Sequence, residues 1–183
     1  HGTPKGSDDN VISDVDAKTK TVITGFNEVK ADVLNIIPAQ KAGKIAHVAG
    51  LTNDKGWCPV HGDTFESTIH KNIHVIGDAA IASPLPKSGY AANSEGKTVA
   101  AAIVALLNGK SAPDPTYVNT CYSVIAPGDG ISVAMVYAFK GGKIVKVKGS
   151  GGLTPGKFDT KLREREQYYG YSWFDNITND TFG

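Results

Sequence analysis

Two glycine turns at a fixed spacing constrain this chain more than any other feature. Pro127-Gly-Asp-Gly130 and Lys140-Gly-Gly-Lys143 separate three strand-like runs: Tyr117 to Ile125, Ile131 to Phe139 and Ile144 to Lys148. The runs are rich in β-branched and aromatic residues, and linkers this short reverse the chain into a neighbouring strand. The pattern predicts an antiparallel meander. Beyond it, Asp159 or Thr160 caps a helix running to about Ile177, with Leu162, Tyr169 and Trp173 spaced for one face. Trp173 with Tyr168, Tyr169 and Tyr171 either packs that helix onto the meander or covers a bound cofactor. The chain therefore closes in an α+β unit.

Upstream of Pro115 the pattern is different. The first ten residues, rich in Gly, Pro, Ser and Asp, read as a frayed start. Val11-Ile12 and Thr21 to Thr24 flank a polar turn at Asp16 to Thr19 and predict a β-hairpin. Val33 to Ile37, stopped by Pro38, reads as a short buried strand. Ala39 to Thr68 is mostly loop with short helical turns. A strand at Ile73 to Ile76 then ends in Gly77-Asp78, and a helix follows from Gly89 to Asn108. Its expected apolar face is Ala92, Val99, Ile103, Leu106 and Leu107, and its small residues Ala91 and Ala100 to Ala102 allow close approach to a sheet. Gly109 is placed to end it, and Pro113 and Pro115 mark a linker. Strand, loop and helix in this order give an α/β segment, so the fold class is α/β plus α+β.

Composition sets limits. With 19 basic and 18 acidic residues the net charge is +1, which gives no reason to expect nucleic acid or an anionic membrane as partner. No apolar run approaches the roughly 20 residues of a membrane span, and no signal peptide is visible. Two cysteines, Cys58 and Cys121, are too few for a disulfide scaffold or a zinc site. Cys58-Pro-Val-His61 lacks the second cysteine of a haem-attachment motif. His70 and His74 lead into a strand and do not share a helix face, so no metal is expected. Asn176-Ile-Thr and Asn179-Asp-Thr match the glycosylation triplet, a pattern common by chance.

Chemistry concentrates at Gly77-Asp78 and Lys87-Ser88-Gly89-Tyr90. A carboxylate at a strand end accepts hydrogen bonds from a polyol, and a helix N-terminus stabilises developing negative charge. Together they suit the ribityl chain and ring of a flavin. A Gly-rich pyrophosphate loop is missing, so the sequence reads as half of a flavin site. Asp78 is either a turn aspartate or that polyol contact. Ser88 either caps a helix and nothing more, or brings Lys87, Gly89 and Tyr90 to the pyrimidine side of the flavin. Cys121 is either a buried core thiol or a redox-active cysteine. Cys58 reads as structural, and a Cys58–Cys121 bridge stays open.

Several segments together resemble a known family. They are Asn35-Ile-Ile-Pro-Ala-Gln-Lys-Ala-Gly43, Gly56-Trp-Cys-Pro-Val60, Thr64-Phe-Glu-Ser67, Ile73-His-Val-Ile-Gly-Asp-Ala79 and Pro86-Lys-Ser-Gly-Tyr-Ala-Ala-Asn-Ser94. Asn119-Thr-Cys-Tyr-Ser123, Ser172-Trp-Phe-Asp-Asn-Ile177 and Asp180-Thr-Phe-Gly183 complete the set. From about Val33 onward the chain resembles the C-terminal half of the flavoprotein subunit of flavocytochrome c sulfide dehydrogenase.

The resemblance implies a partial glutathione-reductase-like nucleotide-binding unit followed by a C-terminal interface domain. Residues 1–72 would end an NAD-domain-like unit, 73–112 would give the closing strand and helix of the FAD domain, and 113–183 the interface domain. It further implies an FAD enzyme of the periplasm. Sulfide would be oxidised at a cysteine pair beside the flavin, and the electrons would pass to a c-type cytochrome subunit. Cys121 falls at the redox cysteine, Asp78 after Gly77 at the ribityl contact, Lys87 to Tyr90 at the loop near the ring, and Trp173 at an aromatic position close to it. The N-terminal half of the flavoprotein is then a required partner, and the chain alone is expected to be inactive. A sulfide:quinone reductase is a related alternative, although the polar end at Asn176 to Gly183 lacks the amphipathic segment usual there. A non-catalytic docking or dimerisation module, with a homodimer of the chain as the assembly, is the alternative from another class.

Overall fold

A computed structural model of the protein describes residues 11–183, and the polar first ten residues lie outside that range. The chain divides into two compact units, His1–Gln40 and Lys41–Gly183.

In the first unit, β1 (Ile12–Asp16) and β2 (Thr21–Thr24) form the expected antiparallel hairpin. Its turn is held by Asp16, whose Oδ1 accepts from the amides of Lys18 at 2.8 Å and Thr19 at 3.2 Å. A third strand, β3 (Glu28–Lys30), pairs antiparallel with β2. Val33 to Ile37 is not a buried strand. It joins no ladder, and Val33 and Ile37 are 86% and 76% exposed. An apolar run becomes a strand only when another strand satisfies its amides, and none does so among the described residues.

The second unit is built on the meander. β6 (Thr116–Ala126), β7 (Asp129–Lys140) and β8 (Lys143–Lys146) pair antiparallel in chain order. This is the expected meander, with boundaries shifted by a few residues. A two-residue strand, β9 (Gly152–Leu153), also pairs with β7, through Val133 and Ala134. β6 is therefore an edge strand.

The final helix, α3 (Thr160–Phe182), begins as expected, with Asp159 Oδ1 accepting from the Leu162 amide at 3.1 Å. It runs a full turn beyond Ile177. Its inward face is not the expected one, because Tyr169 is exposed while Gly170 is buried. Two glycines explain this. A Cβ on Gly130 in β7 would lie 2.4 Å from the Gln167 amide nitrogen, and one on Gly170 would lie 3.3 Å from Tyr122 Cβ. Helix and sheet thus touch almost backbone to backbone, leaving no room for a tyrosine between them. Gln167 then holds the β6–β7 turn, accepting from the Gly128 amide at 2.9 Å and donating to the Ala126 carbonyl at 3.2 Å. Arg163 pairs with Asp129 at 2.6 Å, mostly shielded from solvent. Tyr168, Tyr169 and Tyr171 stay exposed, so of the aromatic group only Trp173 packs onto the meander.

The long helix α2 (Gly89–Leu107) forms over the expected range, with Asn108 ending it and Gly109 following at φ +67°. Its buried stripe is Ala91, Glu95, Val99 and Ala102. Ile103, Leu106 and Leu107 are exposed, contrary to the expected face, and Leu107 is 82% exposed. The small residues win because α2 packs closely beside β6, where Tyr117 supplies the bulk.

Before α2, the segment from Lys41 carries the short helix α1 (Lys44–Val48) and a two-residue parallel pair, β4 (Cys58–Pro59) with β5 (Ala80–Ile81). Ile73 to Ile76 is extended but is not a regular strand. Its backbone pairs with the loop at Phe65 to Ser67, through one Glu66–His74 bridge and two flanking amide bonds. Gly77–Ala79 then form a single 3₁₀ turn rather than a strand end. Two apolar clusters hold the unit together. One joins Phe65, Leu85, Val99, Tyr117 and Ile144, and the other Ala42, Ala46, Leu51 and Cys58.

Gly130→Ala is expected to cost roughly 1–3 kcal/mol, because the helix backbone must move away from the sheet. Gly152→Ala, with nothing within 4 Å of its Cβ position, serves as the control and should change stability by less than about 0.5 kcal/mol. Equal urea midpoints for the two variants would contradict the close-packing account.

Candidate functional site

Ser88 organises the site. Its hydroxyl accepts from the Ala91 amide at 3.1 Å, closing the first turn of α2, and donates to Asn119 Oδ1 on β6. Asn119 is buried, and its Nδ2 lies 3.4 Å from Cys121 Sγ. A second tie, from the Val118 amide to Ser94 Oγ at 3.3 Å, holds the next turn of α2 to the same strand. The start of α2 is thereby fixed against the β6 edge, two residues along from Cys121. The amides of Gly89 and Tyr90 are the first in the helix and have no acceptor within it.

Cys121 is exposed and Cys58 is fully buried, and both are free thiols. The exposure of Cys121 rules out the core-thiol reading. Cys58 lies in the apolar cluster with Leu51, and burial pushes its thiol pKa up, opposed by Lys87. That environment suits an inert thiol.

Asp78 is exposed within the 3₁₀ turn. Lys87 is a tie within the loop: its ammonium donates to the carbonyls of Asp78 and Ala80, and sits 4.0 Å from the centre of the Trp57 ring. Gly77 adopts φ +71°, a left-handed conformation that favours glycine. Its amide donates to Glu95 Oε2 at 2.5 Å.

Trp173 stacks on Tyr90, with ring centres 5.7 Å apart and planes 12° from parallel, and also meets Tyr122 at 6.0 Å. Successive residues of a strand face opposite sides, so Tyr122 and Cys121 lie on opposite faces of the sheet. The structure therefore brings Gly77, Asp78, Lys87, Ser88, Gly89 and Tyr90 together around the start of α2, with Cys121 reached through Asn119. Trp173 meets that helix start through Tyr90, from the other face of β6. A salt bridge from Lys97 to Asp180 at 2.7 Å secures α2 to α3 beside this contact.

Two site residues were missed in the sequence. Asn119 had only its place in a motif to mark it. Glu95 had a signal, since it lies four residues from Ala91 and four from Val99, on the stripe that α2 buries. At 2% exposure its carboxyl is pushed up to about 7 by burial; the Gly77 amide lowers it, Asp78 raises it and Lys87 lowers it.

Residues 113–182, from the linker prolines through α3, match the family model described as flavocytochrome c sulphide dehydrogenase, flavin-binding. The match covers the C-terminal region of the chain and names a flavin-binding domain, consistent with FAD as the cofactor. Cys121, Asn119 and Trp173 fall inside the matched span, while Asp78 and Lys87 to Tyr90 precede it.

The raised Glu95 pKa fixes a sign for stability. A carboxyl whose folded pKa lies above its ordinary value of 4.5 favours folding most in the protonated form. That contribution is complete below pH 4.5 and disappears as pH rises through about 7. Its full size is on the order of 3 kcal/mol at most. Glu95→Gln should remove this slope from the pH dependence of unfolding free energy, measured by urea denaturation at intervals between pH 4.5 and 8. An unchanged slope would show that Glu95 is not the titrating group.

Proposed function

We propose that this chain supplies one wall of the FAD site of a periplasmic sulfide dehydrogenase, with Cys121 as a redox cysteine. The observation that carries the reading is the exposed Cys121 thiol, linked through Asn119 to the capped start of α2. The donor set fits a flavin. Two helix amides and the positive end of a 19-residue helix face outward beside an exposed carboxylate, and Gly89 keeps the approach free of a Cβ.

In this reading Asp78 accepts hydrogen bonds from the ribityl hydroxyls, held in place by Lys87 and Glu95. The start of α2 favours negative charge on the pyrimidine side, and Trp173 with Tyr90 shields one flank from water. Hydrosulfide attacks a disulfide formed between Cys121 and a cysteine of the upstream half. That S–S bond breaks, a persulfide S–S bond forms, and the displaced thiolate carries the electron pair. When bound, FAD supplies a two-electron acceptor that a c-type cytochrome subunit empties one electron at a time.

Exposed apolar surface supports the glutathione-reductase-like assignment that the resemblance implies. Ile73, Ile76 and Ile81 are exposed along the extended segment, as are Ile103, Val104, Leu106 and Leu107 on the outer side of α2. A strand and helix that close a larger sheet would bury these residues against its other members. The 183 residues are then inactive by themselves.

Cys121→Ser in the full-length flavoprotein is expected to retain FAD absorbance while sulfide-dependent cytochrome c reduction falls at least a hundredfold. Unchanged reduction would remove Cys121 from the chemistry.

A further inference from the structure

The Gly77–Asp78 turn is held from beneath by a buried acid that neither the sequence pattern nor the family match assigns. Glu95 reaches from the second turn of α2, is 2% exposed, and takes the amide of the left-handed Gly77 on Oε2. Among the described residues no other side chain accepts from that amide. Gly77 has Ala92 close to its Cβ position at 3.5 Å, and Gly96 has Ile76 Cδ1 at the same distance. The turn therefore rests directly on α2, and its height above the helix is set by the Glu95 hydrogen bond.

We propose that Glu95 is the positioning residue of the flavin site, fixing Gly77 so that the Asp78 carboxylate is presented to the polyol chain. The proposal rests on the flavin reading of Asp78. Glu95 makes no contact with flavin in it and acts through Gly77.

The charged and titratable groups that face Glu95 are Asp78 and Lys87 from the loop and Tyr117 from β6. Asp78 repels its charge and Lys87 attracts it, while the Tyr117 hydroxyl donates to the Gly62 carbonyl at 2.7 Å. An ionised acceptor makes the stronger hydrogen bond to an amide. The grip on Gly77 thus tightens as pH rises through the Glu95 titration and slackens below it. Glutamine keeps an acceptor oxygen of the same reach and removes the titration.

The first readout needs no flavin. In the full 183-residue chain, the Gly77 amide resonance should titrate with a midpoint near 7, and in Glu95→Gln it should be flat between pH 5.5 and 8.5. The second readout is FAD affinity of the full-length flavoprotein by fluorescence quenching. Wild type should bind several-fold more tightly at pH 8 than at pH 6, Glu95→Gln should lose that difference, and Glu95→Ala should bind about tenfold more weakly throughout. A Gly77 resonance that does not titrate, or that titrates equally in Glu95→Gln, overturns the proposal. So does normal FAD affinity, with its pH dependence intact, in both Glu95 variants. Asp78→Asn separates the two ideas: unaltered FAD affinity there, with the Gly77 titration preserved, overturns the flavin reading of the turn.

Discussion

The arrangement depends on one hydroxyl. Ser88 Oγ accepts from an amide of its own helix and donates to Asn119 on the neighbouring strand, so one atom both starts α2 and fixes where it starts. An N-cap of this kind is worth about 1 kcal/mol to a helix, but here its geometric effect is larger than its energetic one. Because the helix start is tied to Asn119, Cys121 lies beside it, Tyr90 reaches Trp173 around the β6 edge, and Glu95 comes to lie under Gly77. Each of these positions follows from the register of α2 against β6.

Close approach without side chains is the second constraint. Gly130 and Gly170 let α3 rest on the meander almost backbone to backbone, while α2 turns its Ala91, Val99 and Ala102 stripe inward, where Tyr117 packs in the same cluster as Ala91 and Val99. Both helices then expose the large apolar residues that a sequence pattern places inside. The exposed groups on α2 and along Ile73 to Ile81 belong, in the proposed assembly, to contacts with the rest of a nucleotide-binding domain.

Strong local signals were legible in the sequence. The meander, both helix caps and the β1–β2 hairpin follow from turn chemistry and capping, which act within a few residues. Features that depend on a distant partner were not legible. Val33 to Ile37 and Ile73 to Ile76 have strand composition but no ladder partner, and composition does not record whether one is present. Tyr169 and Leu107 were misplaced because helical spacing shows that a face exists, whereas the glycines and alanines opposite determine which face is buried. In the candidate site, Gly77 to Tyr90 and Cys121 stood out as motifs. Asn119 and Glu95 did not, since their roles arise from hydrogen bonds to residues 31 and 18 positions away.

The central claim is that the start of α2, the Gly77–Asp78 turn and the Cys121 edge of β6 form one flavin-facing wall. Hydrogen–deuterium exchange on the proposed full-length flavoprotein, with and without FAD, tests it most directly. The account predicts that FAD slows exchange at residues 77–90 and 119–122 more than in the β7–β8 and β9 segments. Saturating FAD with unchanged exchange at residues 77–90 and 119–122 would contradict it.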